Sequence, residues 1–391
     1  MSIEVRRLTE AEFEPEVDFI NLVFSQNSVP HNFKRLCPRW IRPELTGYNI
    51  AALRDGRIRS LVMAAPAEVH IAGHTLKAVG IGNVSTHLDE RRTGLMQMCM
   101  TRTIDEMKEQ NVDFSFLGGL RQRYNFFGYE RCGYRIGFTL YIRNLRMTRG
   151  EAPAYTFRKV KCADDPALPD IRALYEAQPL RVNRGDDMTF FRTLQMWTCD
   201  PYVCTNANGW FIGYVCARPD AASLNEVFAI TDDAVLDLLN AWITQHNPNP
   251  VGLGQPLSIG VHPWARGLQR KLYAVSEGIS VAPDHQYRVF NWDRVTAAFF
   301  ALKATYAALP DGHLTLGIEG WGNLSISVTN GQAVCEKTDA AADIMLTDFE
   351  ALRFVFGPLP SVSVKAVDPK FEPLLEAWFP LPLALHGQDN V

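Results

Sequence analysis

The chain has 391 residues, 47% hydrophobic and 21% charged, enough apolar material for two or three buried cores and too much for a disordered polyelectrolyte. A formal net charge of −4 argues against nonspecific nucleic-acid binding. No apolar run reaches the roughly 18 residues of a membrane span, the closest, residues 297–309, being interrupted by Lys303. The N-terminal residues soon turn acidic and lack the apolar stretch of a signal peptide, so a cytoplasmic protein is expected.

The eight cysteines are scattered and never form Cys-x-x-Cys, and the nine histidines are isolated. No metal site is indicated, and the cysteines read as buried free thiols.

Taken in chain order, residues 12–25 space Phe13, Val17, Ile20, Val23 and Phe24 as a helix. Strands are expected over 48–53 and 57–64 around the Asp55-Gly56 turn, and over 69–71 and 78–86 around Gly73. A helix follows over about 92–110, with Met96, Met100, Ile104 and Met107 on one face. Then come a strand over 114–117, a short helix over 121–127 and a strand over 134–142. A first boundary is expected at the polar stretch 148–153. Beyond it lie a helix over 171–177, strands over 210–217 and 223–230, a helix over 234–245 and an Asn/Pro/Gly-rich loop over 246–256. A second boundary is expected near 291–296. The last hundred residues offer strands over 313–319, 323–328 and 361–366 and helices over 348–356 and 371–378.

The chemistry is concentrated in one strand–turn–helix, Ile81-Gly82-Asn83-Val84-Ser85-Thr86 leading into Arg91-Arg92-Thr93-Gly94-Leu95-Met96. A helix N-terminus presents unpaired N–H groups and a partial positive charge, a setting for a pyrophosphate. Gly94 leaves the backbone open to close approach, Arg91 and Arg92 add charge, and Ser85 and its neighbours offer backbone groups to an extended amide-bearing ligand. The same segment also reads as an ordinary strand–turn–helix with two solvated arginines.

The turn resembles the acetyl-CoA loop of the GNAT superfamily of N-acetyltransferases, Arg/Gln-x-x-Gly-x-Gly/Ala, with Met96 in place of the last small residue. That departure resembles the enhanced intracellular survival branch, whose loop reads Arg-Arg-Arg-Gly-Leu-Leu. The branch's Tyr-Gly-Arg-Phe-Gly-Tyr segment corresponds to Tyr124–Tyr129 here, within Gly118-Gly119-Leu120-Arg121-Gln122-Arg123-Tyr124-Asn125-Phe126-Phe127-Gly128-Tyr129. The resemblance implies that Tyr124 is the general acid and that Val84, Ser85, Thr86, Arg92, Thr93, Gly94, Leu95, Met96, Gln97 and Gly119 bind acetyl-CoA. It also implies that the terminal carboxylate, that of Val391, is the general base, with Asp389, His386 or a water as alternatives. Trp40, His31 and Glu44 fall in the region that often lines the acceptor site in this superfamily, and the residues themselves read first as packing or surface.

The resemblance extends along most of the chain and implies an α+β fold of two tandem GNAT-type mixed-sheet domains, the second degenerate, followed by a sterol-carrier-like α/β domain. The corresponding limits are 1–150, 151–293 and 294–391. The second unit has Thr231-Asp232-Asp233-Ala234 where the phosphate turn should be. Two carboxylates there repel a pyrophosphate and read as a helix cap, so one CoA per chain is expected. The sterol-carrier likeness rests on Leu324–Gly331 and on Ala342-Asp343-Ile344-Met345-Leu346-Thr347, and a lipid tunnel does not follow from it.

The implied activity is acetyl transfer, without a metal, to a primary amine by direct attack in a ternary complex. The acceptor is a small polyamine, an aminoglycoside-like molecule or a lysine side chain. The implied assembly is a homo-oligomer, commonly a hexamer. The rival reading is a noncatalytic lipid- or ligand-binding protein on a disused scaffold.

Overall fold

Strand pairing decides the organisation of this chain. The computed structural model describes residues 3–27, 29–246 and 254–391. Most of the loop expected over 246–256 lies outside the described residues. Two compact units emerge, one of Met1–Gly133, Asp284–Leu383 and Asn390–Val391, the other of Tyr134–Pro283 and Ala384–Asp389. Both combine mixed sheets with helices, the α+β class expected from the sequence.

The first unit is built on a sheet with strands in the order Ile3–Arg7, Asn49–Arg54, Arg57–Ile71, His74–Thr86, Phe114–Leu117, His285–Val289 and Glu130–Cys132. The two long strands form a hairpin around Ala72-Gly73, and Phe114–Leu117 joins it in parallel after the helix Leu95–Glu109. That helix buries Leu95, Cys99, Met100, Thr103, Ile104 and Met107 against the sheet. The expected face is therefore shifted: Met96 is only half-buried, and the helix starts at Leu95 because Arg92 and Gly94 both have positive φ. A four-stranded sheet, in the order Gln332–Thr338, Gly322–Thr329, Gly312–Ile318 and Ile344–Leu346, belongs to the same unit. The helix Trp292–Ala304 packs against its first strand and also against the long hairpin.

The second unit is a seven-stranded sheet ordered Gly278–Ala282, Arg135–Leu140, Leu257–Val261, Ser223–Ala229, Phe211–Ala217, Asp200–Thr205 and Thr156–Lys159. Its long helix, Asp232–His246, buries Val235, Leu238, Leu239 and Trp242 in the sheet's core.

Several sequence expectations are corrected. The strand expected over 134–142 belongs to the second sheet, where Arg135–Leu140 pairs with Leu257–Val261 and Gly278–Ala282. Beside Phe114–Leu117 lies His285–Val289, and the two compact units part near Gly133 and Pro283, whereas the expected limits lay at 150 and 293. The polar stretch at 148–153 misled because Ile142–Arg149 is a helix held to Asp233 and Asp237 through Arg149. The boundary expected at 291–296 is the start of a helix with Trp292, Val295 and Thr296 buried. Residues 361–366 form a turn rather than a strand, since Ser361 donates to the Phe354 carbonyl and Ile344–Leu346 already occupies the edge beside Gly312–Ile318. The Asp232-Asp233 pair does not cap its helix. Thr231 Oγ1 accepts from Ala234 N–H, while Asp233 pairs with Lys271 and Arg149. Among the cysteines Cys162 is exposed and Cys335 half-buried, the others being buried.

One buried carboxyl stands out. Glu16, on the helix Phe13–Ser25, is 2% exposed and accepts from Asn49 Nδ2 at 3.0 Å. Burial raises its pKa to about 7. The native state then holds this proton more tightly than the unfolded chain, so stability falls as pH rises from the unfolded value through 7. Glu16→Gln keeps a neutral hydrogen-bonding group. Between pH 5 and 8 the wild type is expected to lose on the order of 3 kcal/mol relative to Glu16→Gln, measured by denaturant titration at each pH.

Candidate functional site

The site begins where strand pairing ends. Strands His74–Thr86 and Phe114–Leu117 are in register from Ala78–Phe114 to Ile81–Leu117, and no pairing between them continues past Ile81. On the other side of His74–Thr86, two residues, Asn83 and Val84, stand opposite Val62, because Leu61 pairs with Ser85 and Met63 with Gly82. This is a bulge, with Asn83 at a positive φ of 55°. A bulge bends its strand and sharpens its twist, so Gly82–Thr86 leaves its parallel neighbour and a fork opens.

The start of the helix Leu95–Glu109 faces this fork. The first helical backbone bond is Met98 N–H to Gly94 O, and the helix has no side-chain cap. The amides of Leu95, Met96 and Gln97 therefore precede the intrahelical ladder, a concentration of donors suited to an anion. Gly94 sits at φ 86°, and a Cβ built there meets nothing within 4 Å. The turn is held from below: Thr93 Oγ1 donates to Glu90 O at 2.6 Å, and Glu90, itself buried, pairs with Arg54 at 2.9 Å. Arg91 donates to Asn27 Oδ1 at 2.8 Å. Among the described residues, Arg92 forms no ion pair or side-chain hydrogen bond, which leaves its charge for an external anion.

Between fork and helix lies a cleft of about 800 Å³. Of the residues singled out from the sequence, Val84, Ser85, Thr86, Arg92, Gly94, Leu95, Met96 and Gln97 all line it. Thr93 faces an adjoining groove along the outer side of the helix, with its hydroxyl spent on the turn. Ser85 Oγ is buried without a hydrogen-bond partner, a cost that a ligand amide or carbonyl would remove. The cleft is also lined by residues that sequence reasoning missed, among them Phe24, Arg123, Phe126 and Phe127. Phe126 is a large apolar side chain left 70% exposed, a feature that only the structure reveals.

Tyr124 is not on the lining surface. It is 4% exposed, in the apolar cluster with Ile81, Leu95 and Leu117, and its neighbours Arg123 and Phe127 reach the cleft. Burial pushes its phenol pKa up, while the Arg123 charge opposes the rise, so the hydroxyl is protonated at neutral pH. Gly119 lies against the Tyr124 ring, and its carbonyl accepts from Gln286 Nε2 at 2.9 Å.

The chain's last residue also enters this region. Val391 lies on the strand that forks: a Cβ on Gly80 would stand 2.5 Å from Val391 Cγ2, and a Cβ on Gly82 would stand 3.4 Å from the Val391 carboxyl carbon. The two glycines make the seat. Of the candidate acceptor residues, Trp40 is buried under the Arg39 guanidinium, Glu44 pairs with Arg42, and His31 stacks on Phe33; none of them lines the cleft.

Among the described residues no three His, Cys, Asp or Glu side chains converge as a metal site, and no helix is long and apolar enough to cross a membrane.

Comparison with known proteins places this geometry. No curated protein sequence matches the chain. Among solved structures it is similar over its whole length to a conserved protein of unknown function from Enterococcus faecalis V583, described as a probable N-acyltransferase, at TM-score 0.71 and 18% identity with 100% of both chains covered. It is also similar to a GCN5-related N-acetyltransferase from Kribbella flavida (TM-score 0.69, 14% identity, covering 100% of this chain and 98% of that one). Eis1 from Mycobacterium abscessus aligns at TM-score 0.68 and 15% identity, with 100% of both chains covered. Such identities speak for a shared fold. The sequence itself matches the family described as acetyltransferase (GNAT) domain over residues 4–137. The fork, the helix start and the cleft all lie within the stretch, residues 4–137, that is similar to the GNAT acetyltransferase domain.

Proposed function

We propose that this protein is an acetyl-CoA-dependent N-acetyltransferase acting on a primary amine, a small polyamine or aminoglycoside-like molecule or a lysine side chain. The observation that carries the reading is the open fork beside an uncapped helix start, with unpaired Arg92 and the orphaned Ser85 hydroxyl on its walls. Those groups fit the two ends of acetyl-CoA's polar run: amides 95–97 and Arg92 suit the diphosphate, and Ser85 with the free strand edge suits the pantetheine amides.

In this reading acetyl-CoA is the second substrate and supplies a thioester carbonyl for direct attack by the amine in a ternary complex. An amine of ordinary pKa, about 10.4, is protonated at neutral pH and must lose a proton before attacking. The Val391 carboxylate, seated over Gly80 and Gly82, is the acceptor we assign, directly or through water. Tyr124 is the donor we assign to the departing sulfur, because burial keeps its proton in place at neutral pH. Arg123 at the cleft wall tempers that hold on the proton. The reading includes tandem acetyltransferase-like units, a sterol-carrier-like C-terminal part, a cytoplasmic setting and a homo-oligomer, a hexamer in the branch it resembles.

The acceptor class is approached by presenting a panel of amines with acetyl-CoA and following thiol release. Gly94→Glu places bulk and negative charge at the uncapped helix start and is expected to abolish CoA binding by calorimetry in a protein that remains folded. Unchanged affinity in a folded variant would remove the site. The same titration on the wild type is expected to give one CoA per chain, since Asp233 stands at the corresponding turn of the second unit with its charge engaged by Lys271 and Arg149. A stoichiometry near two would contradict this.

Turnover tests the two proton-handling groups. Tyr124→Phe is expected to slow turnover by the roughly 10²–10⁴-fold typical of an acid–base group, with CoA affinity little changed. Appending a few residues after Val391 moves the carboxylate and is expected to slow turnover as strongly. The combined loss should be less than multiplicative, because both groups serve one transfer. Absence of thiol release with every amine, in a protein that binds CoA, would favour the noncatalytic ligand-binding alternative.

A further inference from the structure

The second unit has a fork of its own. Strands Ser223–Ala229 and Leu257–Val261 run parallel but pair only at Ser223–Ser258 and Leu224–Ile259. Here the diverging ends are bridged by the C-terminal segment Ala384–Asp389, which belongs to this unit. On one strand, Asn225 Nδ2 donates to Gln388 Oε1 at 3.2 Å, and Gly387 packs so closely that a Cβ would stand 2.9 Å from the Asn225 carbonyl oxygen. Beyond the other strand, His262 Nε2 lies 2.8 Å from His386 Nδ1, and His386 Nε2 lies 2.8 Å from the Leu180 carbonyl. A carbonyl only accepts, so His386 carries its proton on Nε2 when neutral, and its Nδ1 accepts from His262.

At the centre is a buried ionic cluster. Arg184 is gripped on two sides, by Asp389 (Nε–Oδ1 2.8 Å, Nη2–Oδ2 3.0 Å) and by Glu226 (3.0 and 2.6 Å). Tyr175 donates to Asp389 Oδ2 and Tyr214 to Glu226 Oε1, each at 2.8 Å, and the guanidinium lies 3.5 Å from the Tyr175 ring centre. The charged side chains are at most 1% exposed. Removing three charges from water is costly, and apolar packing of the same volume would stabilise the fold at least as well. A cluster of this kind specifies geometry, because matched forks accept one arrangement. The tail is the part of the chain whose geometry it specifies, since Asp389 lies two residues from the end.

We infer that the strand fork of the second unit is a socket for the chain's own C-terminal tail, with Arg184 as its central ligand, and that this grip fixes the point from which the last two residues project. The grip stands on the contacts above; its consequence for turnover rests on the proposed role of the Val391 carboxylate. Asp389 and Arg184 are thus positioning residues. In the first unit the fork is left for a ligand, whereas in the second it holds the tail.

The test uses the full-length protein and reads the tail separately from the chemistry. Hydrogen exchange across 384–391 in the wild type is expected to show protection comparable to the strands of the second unit, rather than the rapid exchange of a frayed end. Asp389→Asn is expected to raise exchange in this segment and carboxypeptidase release of Val391 by at least about tenfold. It should also lower kcat while leaving KM for acetyl-CoA within about twofold. A folded Asp389→Asn protein with unchanged exchange and unchanged trimming would overturn the inference. If that variant fails to fold, the wild type decides: tail amides exchanging at the unprotected rate overturn the socket, and protected ones support it. A loosened tail with full turnover supports the socket and removes Val391 from the proton-transfer step instead.

Discussion

The structure of the candidate site depends on where two parallel strands stop pairing. Phe114–Leu117 follows His74–Thr86 in register only as far as Ile81, and the bulge at Asn83 and Val84 carries the rest of the strand away. Were the pairing to continue, backbone donors and acceptors would satisfy each other and nothing extended could enter. Divergence leaves them for a ligand, and it also gives the start of Leu95–Glu109 an open volume to face. The uncapped amides, the left-handed Gly94 and the unpaired Arg92 acquire meaning from that opening.

The bottom of the fork is formed by side chains that are absent. Gly80 and Gly82 lie on the forking strand where any Cβ would meet Val391, and at Gly82 also Met63. Glycine inside a strand weakens it and offers no side chain to pack, so its presence marks a close approach. What approaches here is the end of the chain. Around it the core is conventional: Ile81, Leu95, Cys99, Met100 and Leu117 pack the helix to the sheet, with Tyr124 among them. Tyr124 thus combines a core residue's burial with a hydroxyl whose proton is held firmly, and Arg123, next in the chain, reaches the cleft wall.

In the second unit, by contrast, polar chemistry is buried deliberately. Arg184 spends its guanidinium on Glu226 and Asp389, and two tyrosine hydroxyls complete the carboxylates' coordination. At the start of its long helix, residues 231–234 include no glycine, and Asp233 is committed to Lys271 and Arg149. A fold of this kind can keep its strands and helices while exchanging what they hold. Sites reside in a few side chains placed on a scaffold that tolerates the exchange.

The sequence by itself determined what is local. Helical spacing placed Phe13–Ser25, Asp232–His246 and Asp348–Phe356 to within a residue or two, and Asp55-Gly56 marked its hairpin. The turn Arg91–Gln97 was legible because amide donors, glycine and arginine are contiguous there. Tertiary structure decided what is nonlocal. Alternation predicted a strand at Arg135–Leu140 but could not say which sheet it would join, since partner choice is settled by surfaces brought together from afar. The same limit hid the strand at His285–Val289, which reaches Phe114–Leu117 across most of the second unit's sequence. It hid Arg184 as well: an isolated arginine in sequence becomes the centre of a cluster only when residues 226 and 389 fold around it. Periodicity records how a segment satisfies its own backbone and which face it buries, whereas partners distant in sequence meet only once the chain has paid the entropy of closing the loops between them.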